Sequence, residues 1–158
     1  MNRRRFFALA LGTGGALTLA GRGIASSGNF EVTRSTAEWK AMLSDAEYRV
    51  MRKEGTEPAY SSPLDKQYGE GLYHCRGCDL ALYSSEHKYD SGTGWPSFWK
   101  PISQDVIGTK DDRKLFFTRT ECHCSRCGSH LGHIFDDGPQ PTGKRHCLNG
   151  VSLVFKPA

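Results

Sequence analysis

The sequence predicts a mainly β (α+β) fold, a stapled β-domain of antiparallel sheets with short N-terminal helices. Three observations predict it. From Gly71 onward, short runs rich in β-branched and aromatic residues are each bounded by Gly, Pro, Asn or Asp, the pattern of strands and turns. The connections between runs are of hairpin length and leave no room for helical crossovers, so the strands pair antiparallel. Two matched pairs, Cys75-x-x-Cys78 and Cys124-x-x-Cys127, have the spacing that lets four thiolates reach one tetrahedral zinc ion.

The first element is a detachable one. Residues 1–25 hold Arg3, Arg4, Arg5 and Arg22 and no acid, so the formal charge of +4 on the 158-residue chain resides there, and 17 basic residues face 17 acidic ones in the remainder. A neutral remainder gives no support for a nucleic-acid surface. A basic start, an apolar stretch from Phe6 to Ala20 and the small-residue end Gly23-Ile24-Ala25 form an export signal. The apolar stretch is shorter than the roughly 20 residues a membrane span needs. Asn2-Arg3-Arg4-Arg5-Phe6-Phe7 fits a twin-arginine signal, which addresses folded proteins; residues 26–158 are then the mature domain, periplasmic or otherwise exported.

Two short helices come next. Ser35-x-x-Glu38 and Ser44-x-x-Glu47 both fit capping boxes, and Trp39 with Leu43, then Tyr48 with Met51, give each helix an apolar face. Residues 55–68, with Pro58 and Pro63, read as a linker. The expected strands are Gly71–Cys75, Asp105–Gly108, Lys114–Cys122, His133–Phe135 and Gly150–Phe155, with the third, apolar on both faces near its start, at the centre of its sheet.

Within this frame the cysteines divide. Cys75, Cys78, Cys124 and Cys127 are the expected ligands of one structural zinc, a closed site with no position for a reactive water. The gap of residues 79–123 exceeds the roughly 15–20 residues of a compact ribbon, so the ion would join distant hairpins. Two disulfides or a redox C-x-x-C are the alternative for the same residues. Cys122 and Cys147 are left over. Cys147 lies beside Lys144 and Arg145, whose charge would favour the nucleophilic thiolate; an inert buried thiol is the plain alternative. His130 and His133 would face opposite sides of a regular strand, and Gly132 offers a bend that brings both to one site. Asp136 and Asp137 could orient a histidine or move a proton. Trp95, in the turn-rich run Ser91–Ser97, could fill the core or wall an apolar pocket.

Four segments together, Gly71-Leu-Tyr-His-Cys-Arg-Gly-Cys78, Asp90-Ser-Gly-Thr-Gly-Trp-Pro-Ser-Phe98, His130-Leu-Gly-His-Ile-Phe-Asp-Asp-Gly-Pro139 and Arg145-His-Cys-Leu-Asn149, resemble the B-type methionine-(R)-sulfoxide reductases. The resemblance runs from about Trp39 to Phe155 in the family's order. It implies an enzyme that reduces the R epimer of methionine sulfoxide in oxidised proteins through a cysteine sulfenic acid. Cys147 matches the nucleophile, and His130, His133 and Asp137 match positions that shape the polar end of the site. Arg145 and Asn149 match residues that support the thiolate, Trp95 matches the apolar wall, and the four paired cysteines match the ligands of a structural zinc.

At Thr93 many members of that family carry a resolving cysteine, and this chain does not. An external, thioredoxin-like thiol reductant is the expected remedy, with Cys122 as the alternative resolving residue. The expected partners are thus methionine sulfoxide in oxidised proteins and that reductant, with no nucleic acid, no stable membrane association after signal cleavage, and a monomeric state. A non-catalytic zinc module would need the four paired cysteines but has no reason to assemble Cys147 with Trp95, His130, His133 and Arg145. A general thiol-disulfide oxidoreductase would call for a helix-strand alternation that the chain lacks.

Overall fold

The computed structural model describes residues 29–113 and 118–158. Residues 1–25, the expected export signal, and residues 114–117 of the expected third strand lie outside the described residues. Both capping boxes form. Helix α1 (Thr36–Met42) starts at Ser35, whose amide donates to Glu38 Oε2 at 2.8 Å, and helix α2 (Asp45–Lys53) starts at Ser44, whose amide donates to Glu47 Oε2 at 2.8 Å. Each box satisfies amides that the first turn leaves without a partner. Trp39, Leu43, Val50 and Met51 are buried. The guanidinium groups of Arg34 (4.9 Å) and Arg52 (4.5 Å) both lie over the Trp39 ring.

Among the described residues the strands in chain order are β1 (Gly71–Cys75), β2 (Ala81–Ser84), β3 (Lys88–Tyr89), β4 (Ser97–Phe98), β5 (Ile107–Asp112), β6 (Arg119–Cys124), β7 (His130–Phe135), β8 (Arg145–Leu148) and β9 (Leu153–Pro157). They form a three-stranded sheet, β2-β1-β9, and a six-stranded sheet, β3-β4-β8-β7-β6-β5, with every pairing antiparallel. The core lies between the sheets, where Tyr73 meets Phe98 at 4.9 Å and Phe98 meets Tyr83 at 4.7 Å between ring centres. Leu82, Leu131, Leu148 and Leu153 are fully buried around them, each stabilising by roughly 1.5–3 kcal/mol.

Several boundaries differ from the sequence reading, for physical reasons. Gln104–Val106 and Gly150–Ser152 are 3-10 turns, so β5 and β9 begin two or three residues later than expected and run on to Asp112 and Pro157. Strand β7 starts at His130. β6 lies one place from the sheet edge, and the centre is held by β8 and β7; β8, polar in sequence, is buried by its neighbours rather than by its own apolar content. Residues 55–68 are no free linker, because Glu57 is only 4% exposed and its carboxylate takes the amides of Gly150 (2.5 Å) and Val151 (3.1 Å). Among the described residues no helix is long and apolar enough to cross a membrane.

Candidate active site

The two C-x-x-C pairs sit on the turns that follow β1 and β6, and their four sulfurs lie within 4.8 Å of one another. Cys75 Sγ is 3.6 Å from Cys127 Sγ, and Cys78 Sγ is 3.5 Å from Cys124 Sγ. Zinc-sulfur bonds of about 2.3 Å in a tetrahedron separate sulfurs by roughly 3.8 Å, so the donor set fits one structural zinc. The spacing is far from the roughly 2.05 Å of a disulfide. The knuckles are braced from outside: Arg34 donates to the Gly77 carbonyl (3.1 Å) and Arg52 to the Cys127 carbonyl (3.1 Å). These are the two guanidinium groups that lie over Trp39, so the N-terminal helices dock on the metal centre.

The six-stranded sheet sorts the remaining candidates by face. Directly paired residues of antiparallel strands share a face. Glu121, His133, Cys147 and Ser97 form one row across β6, β7, β8 and β4, and Phe135 pairs with Arg145 on the same side. Cys122, Gly132 and Leu148 form the adjacent row, on the opposite face. Cys122 is 0% exposed there, among the core residues. Its thiol is pushed up by burial, and it leaves the sheet away from Cys147.

Two local devices build the row. The register between β6 and β7 slips by one residue, with Cys122 opposite Gly132 but His123 opposite His130. Leu131 is therefore the extra residue of a β-bulge, and the bulge, not Gly132, brings the rings of His130 and His133 together, at 5.4 Å. Gly132 answers another need. A Cβ there would stand 2.0 Å from the Cys147 carbonyl oxygen, so only glycine lets β8 approach.

Cys147 opens on a cleft of about 120 Å³ lined by Thr56, Trp95, Arg119, His133 and Phe135. The Trp95 indole is fixed by donating to the Glu57 carbonyl (3.1 Å), and the Glu57 amide donates to Asn149 Oδ1 (2.9 Å), whose Nδ2 donates to the Leu131 carbonyl (3.0 Å). Arg145 is clamped by two hydrogen bonds of 2.8 Å to Asp137 and lies 4.4 Å above the Phe135 ring. Asp137 is exposed and meets the site through Arg145. His133 Nε2 is 2.8 Å from Asp112 Oδ2, and Arg119 donates to the same oxygen at 2.6 Å. His130, 2% exposed, does not line the cleft; it stands behind His133 with Nδ1 2.6 Å from Glu121 Oε1.

Burial governs the electrostatics. It raises the Cys147 thiol above the ordinary cysteine range, although the Arg145 guanidinium and the hydroxyls of Thr93 and Ser97 pull the other way. The expectation that neighbouring charge would favour the thiolate is thus met in sign by Arg145 but outweighed; Lys144 pairs instead with Asp136. Burial also lowers His133, against the pull of Asp112.

Thr56, Glu57, Asp112, Arg119 and Phe135 carry no role in the sequence reading. The signal available for Arg119 was its place beside Glu121 on one face of a strand that is otherwise largely apolar at its start.

Comparison with known proteins agrees with this geometry. Residues 43–157 match the family described as the SelR domain. The chain is 51% identical over 125 residues to the peptide methionine sulfoxide reductase MsrB of Methanosarcina barkeri, covering 79% of this chain and 88% of that protein. It is 46% identical over 128 residues to the protein of the same name from Leptospira interrogans, covering 81% of this chain and 98% of that one. On this likeness, over most of both partners' length, the chain belongs to the SelR-domain family of B-type methionine sulfoxide reductases.

Proposed function

We propose that this protein reduces the R epimer of methionine sulfoxide, carried in oxidised proteins, to methionine, with Cys147 as the nucleophile. The observation that carries the reading is the shared face: Cys147 opens on the cleft between two aromatic residues, Trp95 and Phe135, and His133 stands beside it, anchored by Asp112. The aromatic walls suit the methyl and thioether end of the substrate, and the histidine suits its polar oxygen.

The Cys147 thiolate attacks the sulfoxide sulfur as its oxygen is protonated. His133 Nε2–H donates to Asp112, so Nδ1 is the ring nitrogen free to take the proton from the Cys147 thiol and pass it to the sulfoxide oxygen. Oxygen passes to the enzyme sulfur, methionine departs reduced, and Cys147 is left as sulfenic acid. One external thiol then displaces water to form a mixed disulfide, and a second releases Cys147 and leaves as the disulfide product. Arg145, held by Asp137, supports the thiolate, Asn149 fixes the turn after β8, and His130 backs His133. With Cys122 on the opposite face, an external thioredoxin-like donor is the preferred resolving thiol. The zinc is structural and takes no part in these steps.

We also assign residues 1–25 to a twin-arginine signal and residues 26–158 to the mature domain, a periplasmic monomer without stable membrane association once the signal is removed. Export of an already folded chain would allow metal loading beforehand. Dithiothreitol-driven turnover of the separate R and S epimers of a protected methionine sulfoxide tests the reading. Turnover of R alone, lost in Cys147→Ser, is expected; turnover of neither epimer by the zinc-loaded, folded chain would overturn it.

A further inference from the structure

Where a resolving thiol would stand, this chain has a line of hydroxyls. Ser91 Oγ lies 2.8 Å from Thr93 Oγ1 and 2.7 Å from Ser97 Oγ, and Thr93 Oγ1 lies 3.9 Å from Cys147 Sγ. The placement is tightly determined. Ser97 is 1% exposed and paired directly with Cys147 across β4 and β8. Thr93 is fixed between Gly92 and Gly94, both with positive φ (70° and 85°), and a Cβ at Gly94 would stand 2.8 Å from the Tyr60 amide nitrogen.

Counting protons gives the line a direction, since each hydroxyl has one to donate. Ser97 Oγ lies 3.1 Å from the Trp95 carbonyl, which can only accept, and in the neutral-thiol state its proton is assigned there. The proton between Ser91 and Ser97 is then the one that Ser91 supplies. Thr93 is left with a single proton and two acceptors, Ser91 Oγ and the Cys147 sulfur. With a neutral thiol the oxygen is the better acceptor; with a thiolate the sulfur is, because charge-assisted bonds are the stronger ones.

We infer that Thr93, oriented by Ser91 and Ser97, is a hydroxyl switch on Cys147: it donates to the thiolate before attack and accepts from the sulfenic acid O–H afterwards, holding the oxidised sulfur open to an external thiol. This rests on the reading of Cys147 as the nucleophile. Ser91 and Ser97 are positioning residues. The charged and titratable groups around the same sulfur are Arg145 with Asp137 beyond it, His133 from β7, Arg119 from β6, Tyr89 from β3, and Cys122 on the far face of the sheet. Arg145 acts through charge and a hydrogen bond, and the Ser97 hydroxyl also reaches the sulfur, so Thr93 is one of three donors to the thiolate and the one whose proton has Ser91 as a competing acceptor.

The test is the pH dependence of Cys147 alkylation by iodoacetamide in the zinc-loaded chain, read by peptide mass. Thr93→Val should raise the apparent pKa of Cys147 by about one unit, slowing alkylation about tenfold on the acid side, and Thr93→Ser should return it to the wild-type profile. Ser91→Ala should move the pKa the opposite way, downward, because the neutral thiol state loses the competing acceptor for the Thr93 proton. Opposite signs from neighbouring hydroxyl deletions are not what simple loosening of the loop would give. Wild-type profiles in both Thr93→Val and Ser91→Ala would overturn the inference, as would shifts of the same sign in both. Cys147→Ser separates the two levels: if it still turns over sulfoxide, the nucleophile reading fails; if it is inactive while the profiles do not move, only the switch fails.

Discussion

The metal centre and the catalytic cleft use the same element, cysteine sulfur, under opposite conditions. In the knuckles each sulfur is surrounded by three others, within 4.8 Å, a cluster of donors that only a cation makes favourable. In the cleft a single sulfur faces hydroxyls, one guanidinium and open space. What separates a structural thiol from a reactive one here is therefore company and access rather than residue type, and Cys122 marks a third case, with neither metal nor access.

Removal of zinc should give the largest difference between the two ends. Ligand binding of this type carries on the order of 10 kcal/mol that is also folding free energy. Chelation, or Cys127→Ser, is expected to abolish cooperative thermal unfolding followed by circular dichroism, and the cleft should be lost with it, since β6 and β7 carry both the knuckle and His133. An apo chain that kept its transition and its turnover would show the two ends to be independent.

A smaller effect should come from the back of the catalytic strand. His146, adjacent to Cys147 but on the core face, is 3.0 Å from the Tyr83 hydroxyl, and burial holds it down at about 4. The unfolded chain takes up this proton near pH 6.5, the folded chain only near 4. Between these values the unfolded state binds more protons, so stability falls as the pH drops, by about 3 kcal/mol. Denaturant midpoints between pH 7 and 4 measure it, and His146→Gln should flatten that part of the slope while leaving the knuckle's stability to zinc unchanged.

The smallest effect should belong to Cys122→Ala. Loss of a buried sulfur costs on the order of 1 kcal/mol, and turnover with dithiothreitol should stay within about twofold of wild type. A deep loss of turnover would mean that this thiol reaches the cleft through the sheet.

What the sequence declares depends on the range of the interaction. The capping boxes are complete within four residues and could be read directly. The zinc ligands are distant in the chain, but tetrahedral coordination imposes a spacing on each pair that is visible locally. Strand β8 is not visible: Arg145 and Cys147 face the cleft, His146 and Leu148 face the core, and no alternation of apolar and polar side chains results. Glu57 is hidden for a different reason. Its carboxylate meets amides 93 and 94 residues away, and nothing in its own neighbourhood records that meeting. The face that Cys122 takes is hidden likewise, because the direction of a side chain follows from register, which a chain of letters does not state.

The bulge at Leu131 has a consequence for how the chain tolerates change in length. From Cys127, pinned at the metal, to His133, pinned at Asp112, the residue count must be odd by one relative to the partner strand. One residue removed there would turn the histidine away from the sulfur it faces, and one added would do the same from the other side. The knuckle thus acts as the zero mark of a ruler against which the site is measured. Insertions have to go where no count is kept, such as the exposed turn around residues 139–142 between β7 and β8.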